Sequence, residues 1–267
     1  MPTPPVTGPL CTRESLAHDL RGLGVRPGET LLVHSSLKSL GWVCGGAVAV
    51  VQSLLDTLGE TGTLVVPAFS NDNSDPEHWQ RPAVPEAWWE PIRAAIPAYD
   101  PATTPSRGVG AIPEAVRTWP GALRSDHPQT SFAAIGPGAS RITAGHARDC
   151  QLGERSPLAR LEETGARVLL LGAGFGSCTS FHLAEYRVPG PVEDVSFAAS
   201  TPQGRQWLTV RDAGLDSDCF DELGADFERT RQVPGGTVGG ARCRLFPVAD
   251  AVAHAQRWLP AHRPYAG

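Results

Sequence analysis

The sequence predicts an α/β fold on a layered, mixed sheet, from three observations: strand-length apolar runs, helical periodicity between them, and one hairpin pattern late in the chain. Leu31-Leu32-Val33 and Arg167 to Leu171 lack the polar alternation of a half-solvated strand, so each is expected to be buried, the first on both faces, and Thr63 to Val66 reads as a further strand. The order strand, loop, helix, strand over residues 31 to 66 is that of a sheet with parallel members. Val195 to Ala199 and Arg205 to Val210, joined through Thr201-Pro-Gln-Gly204, supply an antiparallel pair.

The proline-rich start predicts a flexible N-terminal tail over residues 1–10. Order begins at Thr12, whose hydroxyl can cap a helix carrying Leu16, Leu20 and Leu23 at helical spacing. Gly24 and Pro27 stop that helix. The first strand gives way to a polar turn at His34-Ser35-Ser36, and Gly45-Gly46 opens a helix through Val50, Leu54 and Leu58. Residues 67 to 110 are rich in proline, tryptophan and acids without a clean period, which predicts a long ordered loop of the kind that usually carries function. A short helix is expected over Pro113 to Arg117, a strand over Ser131 to Ile135, and a helix from about Thr179 after the Gly-rich turn Gly172 to Ser177. Helices from about Asp218 to Arg231 and from Val248 to Trp258 close the chain, and no repeat or linker divides it.

With a formal net charge of −5, the chain lacks the basic field that neutralises phosphates, so nucleic acid is not an expected partner. A mildly acidic protein suits a cationic ligand better. The six cysteines are scattered without Cys-x-x-Cys or zinc-like spacing, and neither disulfides nor a metal site is expected. The start lacks the charged and apolar regions of a signal peptide, and no apolar run approaches the ~20 residues of a membrane span. A cytoplasmic chain with reduced thiols is the expectation.

The most informative stretch is Thr179-Ser180-Phe181-His182-Leu183-Ala184-Glu185. His182 and Glu185 are three apart and share a helix face. In a first helical turn the positive end of the dipole favours a neutral, basic imidazole, and a nearby carboxylate can hold one ring nitrogen and stabilise the imidazolium formed on proton abstraction. Thr179 and the free N–H groups of that turn can face a developing oxyanion. The same pattern is also that of an exposed surface pair. The run Val33 to Gly41 sets N–H groups, hydroxyls and the single lysine, Lys38, at the end of a strand, a set that cradles phosphate, hydrogen-bonds an extended amide chain, or simply turns the backbone. Thr104-Pro105-Ser106-Arg107-Gly108-Val109-Gly110 has the same ambiguity, and Arg124-Ser125-Asp126-His127-Pro128 reads by default as a surface loop. Asp216-Ser217-Asp218 either caps the next helix or, turned toward the pocket of His182, binds ammonium groups.

Taken together, these segments resemble the aminoglycoside 3-N-acetyltransferase family, also called the antibiotic N-acetyltransferases. The resemblance is carried by Val33 to Leu37, Pro67-Ala-Phe69-Ser70, Thr104-Pro105 to Glu114, Arg124-Ser125-x-His127-Pro128, Ser131 to Pro137, Ser156-Pro157-Leu158, Val168 to Gly172, Thr179 to Glu185 and Val238-Gly239-Gly240, from about residue 12 to 260. It implies a three-layer α/β/α sandwich with a mixed, mostly parallel sheet and one acetyltransferase domain over residues 11–267. It also implies direct transfer of acetyl from acetyl-coenzyme A to the 3-amine of the 2-deoxystreptamine ring of an aminoglycoside, a resistance activity that needs no metal. His182 matches the family's catalytic histidine, with Thr179 beside it and either Glu185 or Asp218 orienting it. His34, Ser35, Ser36, Leu37 and Lys38, with Thr104, Pro105, Ser106, Gly108, Val109 and Gly110, match positions that hold the coenzyme. Phe69, Asp72, Asp216, Asp218 and Glu185 are the implied acceptor-binding residues, in a monomer or a homodimer.

The chemistry agrees on one point. An amine is protonated near pH 7, so the site must bind a cation and then deprotonate it, which carboxylates and a neutral histidine accomplish together. Two rival readings remain. Gly172-Ala-Gly174-Phe-Gly-Ser177 follows a strand as a dinucleotide loop does, although Ser177 replaces the third glycine and the motif lies late in the chain. In a non-catalytic small-molecule-binding α/β protein, every motif would be a turn or a cap. The same chemistry on a different biosynthetic amine is a further alternative, and a serine hydrolase is disfavoured because no Gly-x-Ser-x-Gly elbow occurs.

Overall fold

The computed structural model describes residues 8–263, and its first element is a two-residue strand, Leu10–Cys11 (β1). Of the tail expected over 1–10, residues 1–7 lie outside the described residues, and Leu10 is paired with Trp42 instead of being loose. Thr12 caps Arg13–Leu23 (α1) through a reciprocal box: its hydroxyl accepts the Ser15 N–H at 3.2 Å and its own N–H donates to Ser15 Oγ at 2.9 Å. Gly24, at φ 102°, ends the helix in a conformation that a side chain would strain. Thr30–Ser35 (β2) runs on through His34 and Ser35, so these two are strand and not the expected turn. Trp42–Val43 (β3), Gly46–Leu58 (α2) and Thr63–Pro67 (β4) follow.

The long segment after β4 is mostly irregular, as expected, with Trp89–Ala95 (α3) inside it. Next come Ala111–Arg117 (α4), Leu123–Arg124 (β5), Phe132–Ile135 (β6), Ala139–Thr143 (α5), Pro157–Glu163 (α6) and Arg167–Leu171 (β7). Ser180–Glu185 (α7) leads into a long ribbon, Val192–Thr201 (β8) and Gly204–Ala213 (β9). Phe220–Arg231 (α8), Gly235–Val238 (β10), Ala241–Pro247 (β11) and Val248–His262 (α9) complete the described chain.

The central sheet has the order β10-β11-β7-β2-β4-β6-β5. Only β7 with β2 and β2 with β4 pair in parallel; the four outer pairings are antiparallel. Since β10 and β5 each sit two antiparallel steps from the centre, five of the seven strands still point one way. The expected mostly parallel sheet therefore holds for strand direction and is corrected for strand pairing. The hairpin is a second correction: β8 and β9 pair with each other over ten positions as a separate ribbon and do not join the central sheet. Asn73 secures the ribbon to the long loop, its amide donating to the Ala198 carbonyl and accepting the Ala198 N–H, both at 2.8 Å.

Alternation along the strands divides the core in two. Leu32, Val65, Val168, Leu170 and Phe246 pack with Ile142, Leu158, Phe181, Phe227 and Val252 of α5 to α9. Leu31, Val33, Leu64, Val66, Leu169 and Leu171 pack with Leu16, Leu54 and Val116 of α1, α2 and α4. The result is the three-layer α/β/α sandwich. The parallel register pairs Val33 with Leu169, His34 with Leu170 and Ser35 with Leu171, so β2 and β7 end side by side. In such sheets ligands bind beyond the carboxyl ends of the parallel strands.

Candidate active site

A cavity of about 280 Å³ opens where those strands end. His34 and Ser35 reach its wall from β2, and Pro67 and Phe69 from the end of β4. Gly108, Val109 and Pro113 contribute from the start of α4; Gly176, Ser177, Thr179 and His182 contribute from the segment after β7. The Asp221 carboxylate accepts the Gly176 N–H at 2.8 Å, which ties this last segment to α8.

His182 is the third residue of α7 and is buried apart from a small exposed part. Its Nδ1 lies 2.6 Å from Glu185 Oε2, and its ring centroid lies 4.7 Å from that of Phe220. Glu185 is buried, and its other oxygen, Oε1, accepts from Arg263 Nη1 at 2.6 Å and from the Asp216 N–H at 3.3 Å. The pair is therefore no surface decoration. At six residues, α7 is too short to rely on for the dipole that the sequence suggested, so the immediate electrostatic partner of His182 is the carboxylate. His34 faces the same cavity, with Nε2 3.3 Å from the Thr179 hydroxyl. Burial, reinforced by the proximity of His182, pushes the His34 imidazole down to about 3, so it stays neutral at physiological pH.

The other expected residues divide. Ser35 lines the cavity, and its buried hydroxyl has no partner within the protein, as suits a group that binds something entering the cleft. Gly108, at φ 76° and with open space where a side chain would begin, leaves the backbone approachable beside it. Ser36 is tied to Ser39, their hydroxyls 2.9 Å apart, while Leu37 is half-buried and Lys38 exposed on a short helical turn outside the cavity wall. Ser106 is committed to Glu114, which accepts from its N–H at 3.0 Å and from its hydroxyl at 2.6 Å. Gly110 adjoins the cavity as the N-cap of α4. Thr104, Pro105 and Asp72 border a second cavity of about 310 Å³, where Asp72 pairs with Arg107 at 3.0 Å on the surface.

Glu185, and not Asp218, contacts His182. Asp218 is exposed, and its N–H donates to the Asp216 carboxylate at 2.7 Å. Ser217, between these two acids, lines the cavity, so Asp216 and Asp218 flank the wall without belonging to it. Phe69 is in the wall and meets Phe132 edge-on at 5.7 Å. The stretch expected as a surface loop is corrected: His127 is fully buried, its Nδ1 accepting the Gln129 and Thr130 N–H groups at 3.1 Å each. Sequence reasoning missed Arg263 altogether, since 78 positions separate it from Glu185 and no local motif marks it. It also missed Ser177 and Pro113 as wall residues, although both adjoin segments it had singled out.

Among the described residues no helix is long and apolar enough to cross a membrane, and no cluster of three or more His, Cys, Asp or Glu could hold a metal ion. A model of the aminoglycoside 3-N-acetyltransferase family matches residues 32–260. The chain is 45% identical over 250 residues to the SPbeta prophage-derived aminoglycoside N(3')-acetyltransferase-like protein YokD of Bacillus subtilis (strain 168), covering 93% of this chain and 92% of that one. The crystal structure of YokD superposes with a TM-score of 0.94 at 42% identity, over 98% of this chain and 97% of that one. The solved binary complex of AAC-IIIb with CoASH gives a TM-score of 0.83 at 32% identity over 97% and 100% of the two chains. Sisomicin-bound AAC-VIa, from a room-temperature neutron and X-ray structure, gives 0.85 at 32% identity over 95% and 99%.

Proposed function

Because the chain belongs to the aminoglycoside 3-N-acetyltransferase family, we propose that it moves acetyl from acetyl-coenzyme A to the 3-amine of a 2-deoxystreptamine ring on an aminoglycoside, by direct transfer with His182 as general base. The carrying observation is His182 in the cavity wall with Nδ1 held by Glu185, which leaves Nε2 for the proton of the acceptor. As the amine nitrogen attacks the thioester carbon, its proton passes to His182 and the developing imidazolium is balanced by Glu185. The carbon–sulfur bond then breaks, and the leaving thiolate takes up the proton held by the imidazolium.

Further features support the remaining parts of this reading. Among the described residues no hydroxyl or thiol is hydrogen-bonded to His182, Cys178 is fully buried with its thiol pushed up to about 12 by desolvation, and the Thr179 hydroxyl meets His34, which at about 3 is too weak a base to activate it, all of which favours transfer without an acyl-enzyme. The unpartnered Ser35 hydroxyl and the open backbone at Gly108 suit the amide chain of the coenzyme, and AAC-IIIb, similar over its whole length, is known in complex with CoASH. The exposed acids Asp216 and Asp218 beside the cavity suit an acceptor bearing several ammonium groups, and AAC-VIa is known with sisomicin bound. The Thr179 hydroxyl, beside neutral His34, is the candidate donor to the oxyanion. A donor made inside cells agrees with a cytoplasmic site of action.

The test is free-thiol release from acetyl-coenzyme A against a panel of aminoglycosides and simple amines, with mass spectrometry to locate the acetyl group. Release that requires a 2-deoxystreptamine acceptor and yields the 3-N-acetyl product is expected. Acetyl on another amine would overturn the regiochemistry, and absence of release across the panel would overturn the acceptor class.

A further inference from the structure

We propose that Arg263, the residue immediately after α9, is a positioning residue for the catalytic pair, fixing Glu185 and tempering its charge so that His182 is released as a base. This rests on His182 being the base. One carboxylate spans the two partners: Glu185 Oε2 lies 2.6 Å from His182 Nδ1, and Oε1 lies 2.6 Å from Arg263 Nη1. Arg263 is itself anchored. Its N–H bonds the Leu259 carbonyl at 2.8 Å, its Nε donates to Cys219 Sγ at 3.0 Å, and its Nη2 donates to the Asp216 carbonyl. Its guanidinium also lies over the Phe220 ring at 5.7 Å, and that ring is the one beside His182. One side chain thus ties α7, the loop before α8 and α9 around the carboxylate.

The electrostatic reason follows from burial. A carboxylate only 7% exposed has little water to balance its charge, and without the Arg263 cation on its other oxygen it would bind the imidazolium of His182 more tightly. Burial works against the charge of Arg263, yet the Glu185 and Cys219 contacts hold its pKa above the ordinary value, so the guanidinium is a fixed positive charge. The other charged or titratable groups facing this cluster are His34, neutral for the reason given above, the Asp216 carboxylate at 3.7 Å from Nη2, and the Cys219 thiol, raised by burial. None of them supplies a second cation to Glu185.

The experiment titrates the His182 imidazole by NMR, identified by the resonance lost in His182→Ala, in the parent chain, Arg263→Gln and Arg263→Lys, beside kcat/KM for thiol release against pH. Loss of the guanidinium is expected to raise the midpoint by about one pH unit and to lower kcat/KM at pH 7 by about threefold from an ordinary imidazole midpoint, with recovery at higher pH. Lysine keeps the charge but loses the planar fork, so Arg263→Lys is expected to move the midpoint the same way by less, and it carries the test if Arg263→Gln does not fold. An unchanged midpoint, or activity lost equally at every pH, would overturn the proposal as no more than a structural contact. If the parent chain transfers acetyl to no amine, the proposed function fails, and the titration alone still decides the role of Arg263.

Discussion

Glu185 is the residue at which the sequence said most and least. Its spacing from His182 was legible, because a three-residue step on a helix leaves few other partners. The competition with Asp218 was not, since backbone turns alone decide which acid comes near the ring, and those turns place Asp218 outward. Ser106 teaches the same lesson: a hydroxyl that reads as a ligand contact in sequence is spent on Glu114 in the fold. At this scale Glu185→Gln keeps the shape but presents an amide that can donate to Nδ1, which favours the wrong imidazole tautomer. A fall in kcat of roughly 10² to 10⁴ is expected in single-turnover acetyl transfer. An undiminished rate would return the orienting role to another group.

Elements defined by burial were legible and elements defined by pairing were not. Arg167 to Leu171 announces itself because both neighbours and both layers demand apolar side chains, whereas Gly235–Val238 carries two glycines and becomes a strand only because Ala241–Pro247 pairs with it. The hairpin was readable from its turn, but nothing local says which sheet it joins. Helix α8 shows how packing overrides propensity. A Gly-to-Ala change within a helix ordinarily stabilises by up to about 1 kcal/mol, yet a Cβ at Gly224 would lie 2.0 Å from Cγ of the buried Phe175 ring. Gly224→Ala is therefore expected to destabilise by about 1–3 kcal/mol in urea unfolding. A rise in the unfolding midpoint would show that the α8 contact yields more readily than its geometry indicates.

Across the whole molecule, the α/β class was legible from apolar strand runs set between helical periods, and the family, with the three-layer sandwich it implies, from motif order over most of the chain, while the interior polar inventory was hidden. Four histidines are buried and shifted by desolvation first: His34 to about 3, His127 to about 4, His146, whose ring centroid lies 4.8 Å from that of His127, well below its ordinary value, and His254 below it despite its contact with Asp226. Each has a folded-state pKa depressed from about 6.5, so the unfolded chain takes up protons first as pH falls. Stability is then complete above about pH 6.5 and declines below it, by up to about 1.4 kcal/mol per pH unit for each histidine, with the His127 share lost by about pH 4. Urea midpoints at pH 7 and pH 5 check this, and equal midpoints would mean these rings already carry protons when folded. The proposed reaction depends on an imidazole that sits in the wall of the strand-end cavity with one nitrogen taken. Steady-state turnover of His182→Ala, at saturating acetyl-coenzyme A and aminoglycoside, tests that most directly. Turnover lower by roughly 10² to 10⁴ with a near-parental KM for the coenzyme is expected, and turnover within about twofold of the parent would contradict it.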